Sequence, residues 1–428
     1  MFKKVLYNTG AQIFGKGITA TTTLLITILI GSALGKAGYG DFTKIFVFVG
    51  YFYTLGDFGF NTIYIKLANE KNNLVLLRSL IGLRLLITFS LASIAILVSF
   101  LIPYNPETGI GFSPLVKFGI VLASLTIVTQ GLFTTANAFF QRILRYDLST
   151  IAAIFGSFVV LIGTVVTFIS KGGLYGYTIS YVLGGFTFII VAFYLIFKKT
   201  KASILPKFSL GDAKIFLSKS WPIGLALIFN LIYFRIDIFI LANTRSSSEV
   251  GLYGLAYQFF EAALAIPIFF ANSLYPILAR LYLKDFEQFK KQISVWLKLL
   301  TLFSILLVFG LIVASFLIPI INRGDFAGSV TALQILAVGT PFFFISALLW
   351  HVLIIFDKQK YLIIVYGIGA AVNLIANLIF IPHFGYLAAS IITVVSEGLI
   401  TLLLFLAIRF QSGSGRLEVR RLETDVRS

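Results

Sequence analysis

The chain has 428 residues, 58% of them hydrophobic and 12% charged, and its formal net charge is +17. A soluble chain carries about 25% charged residues, so this composition excludes a soluble enzyme, a disordered protein and a nucleic-acid binder; the basic excess belongs on membrane loops. With no cysteine there is neither a disulfide framework nor a thiolate metal site, and the two separate histidines, His351 and His383, lack zinc-ligand spacing.

A hydrocarbon core about 30 Å thick needs about 20 apolar helical residues. Segments of that length bounded by Gly, Pro, Asn or charge predict twelve spans. The first six are Ala11 to Leu34, Phe42 to Ile65, Leu80 to Ile102, Leu115 to Phe140, Leu148 to Ile169 and Leu174 to Phe197. Residues 198–220 then predict a cytoplasmic connector, in which Ser209-Leu210-Gly211-Asp212 reads as a capping box opening a short basic interfacial helix. The second six are Trp221 to Ala242, Tyr253 to Ala279, Val295 to Ile318, Val330 to Phe356, Tyr361 to Ile381 and Gly385 to Ile408. Residues 409–428 read as a cytoplasmic tail or an expression remnant. Lys3 and Lys4 precede a stretch of full helix length, so the start reads as a span and not as a cleavable signal.

With the N-terminus inside, and with basic residues in the end turns of a span counted with the adjoining segment, 26 of the 34 basic residues fall on inner segments, six on outer ones, and Lys16 and Arg235 deeper within spans. That bias predicts a multi-pass plasma (inner) membrane protein with both termini cytoplasmic. Inner segments alone account for the net charge of +17, so the excess is a topology signal. The chain also repeats itself. Gly38-Tyr39-Gly40 recurs as Leu252-Tyr253-Gly254, and Ser99-Phe100-Leu101-Ile102-Pro103 recurs as Ser315-Phe316-Leu317-Ile318-Pro319. The expected fold is therefore all-α, with twelve transmembrane helices in two pseudo-symmetric six-helix lobes, 1–197 and 221–408, related by an axis along the membrane normal.

A polar stripe at helical spacing marks a face turned to protein or water. The first span carries Asn8, Gln12, Lys16, Thr19, Thr23 and Thr27; the fourth carries Thr126, Gln130, Thr134, Asn137 and Gln141. Asn373, Asn377, Ser390, Thr393 and Thr401 extend the pattern into the last two spans. Isolated residues of this kind can serve as interhelical hydrogen-bonding glue, while longer stripes suit a hydrated polar cavity. Charges discriminate better, because each costs about 2.5–3.5 kcal/mol at mid-helix and needs a compensating role. Lys16 reads as a cavity-facing anion ligand or as the partner of a carboxylate. Arg235 reads as a ligand or as a side chain snorkelling to the outer headgroups. Glu397 and Glu261 are candidate proton-coupling carboxylates or protonated bundle contacts, and Asp57 and Asp237, nearer helix ends, suit structural pairing. No metal cluster is expected.

Leu34-Gly35 and Gly38-Tyr39-Gly40, followed by Leu55-Gly56-Asp57-Phe58-Gly59-Phe60, Arg235-Ile236-Asp237 and Val250-Gly251-Leu252-Tyr253, resemble the pattern of the polysaccharide biosynthesis oligosaccharide flippases. These are the O-antigen flippase branch of the multidrug/oligosaccharidyl-lipid/polysaccharide superfamily. The resemblance implies a V-shaped pair of lobes and transfer of a polyprenyl-pyrophosphate-linked oligosaccharide from the inner to the outer leaflet by a non-enzyme. A cationic lumen is implied to receive the pyrophosphate and sugars. Lys16, Gln12, Gln130, Asn137 and Arg235 are the matching candidates, with Arg78, Arg84, Arg142 and Arg145 at the inner mouth. The expected partners are membrane lipids, a polysaccharide polymerase and glycosyltransferases, and the expected state is a monomer without cofactor; coupling to H+ or Na+, as in an antiporter, is a hypothesis that rests on the carboxylates themselves, with Glu397 and Glu261 as the candidate sites and Asp57 and Asp237 after them. Lipid II flippases of the superfamily have fourteen helices and an Arg-rich first helix; here there are twelve and one Lys. Multidrug relatives carry an acid in the first helix, where this chain has Lys16. A cation-coupled small-molecule or drug exporter is the alternative. No GxxxxGK[ST] loop is present, so ATP is not the expected direct energy source.

Overall fold

A computed structural model of the protein describes the backbone of residues 2–68, 73–321 and 325–425, and the side chains of 15–68, 73–268, 270–275, 277–320 and 325–409. Gln12, Asn8 and the side chains of the tail lie outside that set. The chain is almost wholly helical. In order, the helices are α1 (Phe2–Asp57), α2 (Phe60–Leu67), α3 (Asn73–Leu101), α4 (Pro114–Ala123), α5 (Leu125–Arg142), α6 (Tyr146–Ser170) and α7 (Gly173–Thr200). They continue with α8 (Leu210–Thr244), α9 (Ser247–Lys284), α10 (Phe286–Ser315), α11 (Leu317–Ile321), α12 (Ala327–Ile355) and α13 (Gln359–Asp425). A two-residue hairpin, β1 (Tyr104–Asn105) paired antiparallel with β2 (Ile110–Gly111), follows α3.

Among the described residues ten helices are long and apolar enough to cross a membrane. Two of them, Gly15–Leu67 and Gln359–Arg409, run for 53 and 51 residues, far beyond the length of one crossing. Each is interrupted at a glycine: Gly35 at φ 64, ψ 178 and Gly385 at φ 64, ψ −148. That region of backbone space is open essentially to glycine alone. The expected loop between the first two spans is thus a single-residue kink. Many large side chains, including Leu101 at 81%, Ile169 at 74% and Ile190 at 65% exposure, point outward, as lipid solvation allows. The protein is an all-α polytopic membrane protein.

The chain divides into two compact units, residues 1–255 with 321–326, and residues 256–320 with 327–428. The first unit thus extends through α8 and the start of α9. Its core joins Phe60, Tyr64, Leu77, Phe139, Phe140 and Phe216. The repeated glycine motifs meet inside this unit. A Cβ on Gly40 would lie 1.7 Å from the Ser247 carbonyl oxygen, and one on Gly251 would lie 1.9 Å from that of Lys36, so the crossing of α1 and α9 is backbone against backbone. Ser247 adds a hydroxyl bond to Asp41 at 2.6 Å. Of the expected capping box the structure forms the N-cap half, with Ser209 Oγ accepting the Asp212 N–H at 3.3 Å, while the Asp212 carboxylate accepts the Ser79 hydroxyl from α3. The helix it opens is not short, however: α8 runs on unbroken for 35 residues, past Pro222, into the expected seventh span. In the second unit Leu274, Leu278, Phe289, Leu300, Phe344, Leu348 and Val352 form a core among α9, α10 and α12.

Candidate transport site

In the first unit the polar chemistry gathers around a helix break. The α1 helix stops at Asp57, Phe58 and Gly59 take left-handed φ of 41° and 77°, and α2 restarts at Phe60. A break of this kind leaves backbone carbonyls without helical partners. Arg84 of α3, fully buried, supplies the donors. It donates to the Gly56 carbonyl, to Asp57 Oδ1 at 3.3 Å, to Asn61 Oδ1 at 2.7 Å and to Thr135 Oγ1 at 3.2 Å. Asn61 in turn donates to Asp57 at 2.7 Å, and the Phe60 ring lies 5.2 Å from the guanidinium. Five guanidinium N–H groups in a planar fork can satisfy this many acceptors, which an ammonium cannot. Arg84 was expected at the inner mouth; it is instead sealed inside the helix packing, because its charge and hydrogen bonds are neutralised there.

Arg142 and Arg145 are likewise committed locally. Arg142 donates to the Ala68 carbonyl at the C-terminus of α2, at 2.7 Å, and Arg145 forms a two-point pair with Asp147, both contacts at 2.8 Å. Asn137 accepts the Ser149 hydroxyl. Gln130 is half-buried on the same helix, and Lys16 is exposed on α1. The threonines beside them turn inward on their own helices: Thr19 and Thr23 donate to the carbonyls of Lys16 and Thr19, and Thr126 and Thr134 to those of Ala123 and Gly131. Near the other end of the unit Asp237, 3% exposed, accepts from the Tyr253 hydroxyl and the Ile238 N–H. Half-buried Arg235 presents its carbonyl to the Tyr51 hydroxyl.

Lys44, which the charge count places among the six outer basic residues, is a buried charge as well. Its side chain is 1% exposed and its ammonium donates to the carbonyls of Gly111 at 2.8 Å and Gly109 at 3.4 Å. It therefore fixes the hairpin onto α1. The signal was its position three residues after Asp41 at the start of an apolar run, which alone does not separate a snorkelling lysine from a buried one.

In the second unit Glu397 of α13 is 2% exposed and accepts the Ser346 hydroxyl from α12. Across the Gly385 kink, the two limbs of α13 are joined by Asn373 donating to Ser396 at 3.2 Å, and Asn377 donates to Asn373 at 2.9 Å. The Asn377 side-chain oxygen is a buried acceptor with no hydrogen-bond partner among the described residues. Glu261 is half-buried on α9. Among the described residues no three His, Cys, Asp or Glu side chains cluster as a metal site would require. A buried carboxylate can take a proton, and buried oxygens suit a small hard cation.

The family model for polysaccharide biosynthesis proteins matches residues 1–282, and the MatE model matches residues 222–379. An uncharacterized membrane protein of Methanocaldococcus jannaschii is 25% identical over 417 residues, covering 88% of this chain and 78% of the relative. Among solved structures, lipid II flippase MurJ in an inward closed conformation aligns with a TM-score of 0.75 at 18% identity, over 94% of this chain and 87% of that one. An inward-facing multidrug resistance transporter of the MATE family aligns with a TM-score of 0.73 at 12% identity, over 92% and 95%. At these identities the two structures show a shared fold.

Proposed function

The chain belongs to the polysaccharide biosynthesis protein family, and from that premise we propose that it is a flippase for a polyprenyl-pyrophosphate-linked oligosaccharide, moved from the inner to the outer leaflet by alternating access. Twelve passes with both termini cytoplasmic are part of this reading, and the glycine breaks at Gly35 and Gly385, which divide the two overlong helices, support it. The observation that carries the substrate class is Lys16 itself, a lysine at an exposed position on an apolar helix. A pyrophosphate cannot enter hydrocarbon unaided, and a fixed cation in a hydrated groove lowers that barrier. This reading assigns half-buried Gln130 of α5 to the same groove. The arginines expected at the inner mouth, Arg78, Arg84, Arg142 and Arg145, are engaged in local bonds.

Coupling to H+ or Na+ belongs to the second unit in this reading. Glu397 supplies the carboxylate, and the unpartnered Asn377 oxygen supplies a further acceptor for a cation carried as co-substrate. The deciding experiment follows surface polysaccharide in cells carrying Lys16→Ala. Export is lost while the variant still reaches the membrane; normal export by a correctly inserted variant overturns the reading. Drug export is the second reading, favoured by the MatE match over residues 222–379. It requires extrusion of small organic cations by the purified protein, which the flippase reading does not.

A further inference from the structure

Between α7 and α8 the chain runs without regular structure over residues 201–209, and this segment is strapped onto α3. The Lys207 N–H donates to the Arg78 carbonyl at 3.0 Å, and Arg78 Nε donates to the Leu205 carbonyl at 2.9 Å. Gly82 allows the close approach, since a Cβ there would lie 2.7 Å from the Lys207 carbonyl oxygen. Ser79 binds Asp212 at 2.6 Å just beyond. Beneath the strap is a cavity of about 470 Å³ whose lining grades from buried Ile81 and Leu132, past Leu85 and Phe193, to exposed Phe197 and Leu205. The strap itself exposes Leu205 at 69%, with Phe208 at 49% and Leu210 at 77% beside it. Water is a poor solvent for such a surface, whereas lipid is a good one.

The residues that flank this lining in the chain have the opposite chemistry. Lys198, Lys199, Lys201 and Lys207 are all exposed, none is in an ion pair among the described residues, and no acid occurs between Phe197 and Asp212. We propose that this pocket holds an acyl chain of one anionic phospholipid from the adjoining leaflet, with its headgroup phosphate on the four lysines. A hydrocarbon slot flanked by basic residues is complementary to both ends of such a lipid, and basic pockets between transmembrane helices hold anionic headgroups in this way. The lipid fastens the connector to α3, α5 and α7. The lining shares no residue with the transport candidates, and the site stands whether or not the chain moves oligosaccharides.

The test uses the purified full chain in neutral detergent, titrated with phosphatidylglycerol or phosphatidylcholine of identical acyl chains, with bound lipid read by native mass spectrometry. One phosphatidylglycerol is retained with a preference of about tenfold or more. Replacing the four lysines by Lys198→Gln, Lys199→Gln, Lys201→Gln and Lys207→Gln together brings the preference near parity. The control Lys214→Gln with Lys219→Gln, which removes charge from α8, leaves it unchanged. Ser203→Trp, at an exposed position in the lining, fills the mouth and lowers retention of both lipids, giving an answer even where the four-lysine variant does not fold. Equal retention of the two lipids by the unaltered protein overturns the proposal. So does displacement of phosphatidylglycerol by a polyprenyl phosphate at far lower concentration, which reassigns the pocket to a transported lipid.

Discussion

A guanidinium inside a helix bundle survives only when every N–H has an acceptor, and Arg84 meets that condition by gathering the broken end of α1, Asp57, Asn61 and Thr135 around itself. Removing one partner of such a group strands the other. Arg84→Ala should therefore lower stability by about 3–5 kcal/mol, seen as a lower thermal unfolding midpoint in detergent. Arg84→Lys should recover little of this, because one ammonium cannot reach four separated acceptors. A full recovery with lysine would show that charge alone, and not the fork, holds the break. Glu397 poses the opposite case, a carboxylate with a hydroxyl donor in a buried setting. If it carries the coupling cation, Glu397→Gln uncouples transport from proton or sodium movement while Glu261→Gln is milder. Unchanged ion release in reconstituted vesicles for both variants removes them from the coupling scheme.

Elements are set by glycine as much as by hydropathy. Gly35 and Gly385 lie where any side chain is strained, so Gly35→Ala and Gly385→Ala should each cost about 1–3 kcal/mol. Gly35→Ala is the more disruptive, because its Cβ would also lie 2.8 Å from Asp325, whose carboxylate accepts the Lys36 N–H. Gly40 and Gly251 act differently, by permitting contact between backbones that no Cβ could share. Gly251→Val is expected to prevent folding of the first unit, measured as loss of monodisperse protein after extraction from the membrane. A normal yield would mean that α1 and α9 can separate there without cost. The half-exposed Lys36–Asp325 pair at 3.6 Å contributes little by comparison.

At the scale of the whole molecule the two units carry different chemistry. The first holds the exposed Lys16 and the neutralised arginine node, and the second holds buried Glu397 with its asparagines. On the proposed function, anionic cargo and driving cation belong to separate units, so Lys16→Ala should abolish export outright and Glu397→Gln should change its dependence on the ion gradient. Reconstituted flipping of a lipid-linked oligosaccharide, measured with and without an imposed gradient, distinguishes them. Loss of gradient dependence in Lys16→Ala with flipping intact would exchange the two roles.

Composition and periodicity were enough to determine a helical membrane protein, the approximate reach of its spans, the Ser209 cap and the glycine motifs whose repetition marked a structural need. These are legible because hydropathy, capping and backbone freedom are local properties, expressed within a few turns of helix. The fate of each charge was decided only by tertiary structure. Arg84 and Arg78 lie six residues apart on one helix and looked alike in the sequence. Packing places one at a helix break, where carbonyls and a carboxylate neutralise it, and the other against the connector strap. Lys44 and Lys16 divide in the same way, one sealed over a hairpin and one exposed, because the solvation of a charge depends on which distant segments fold against it.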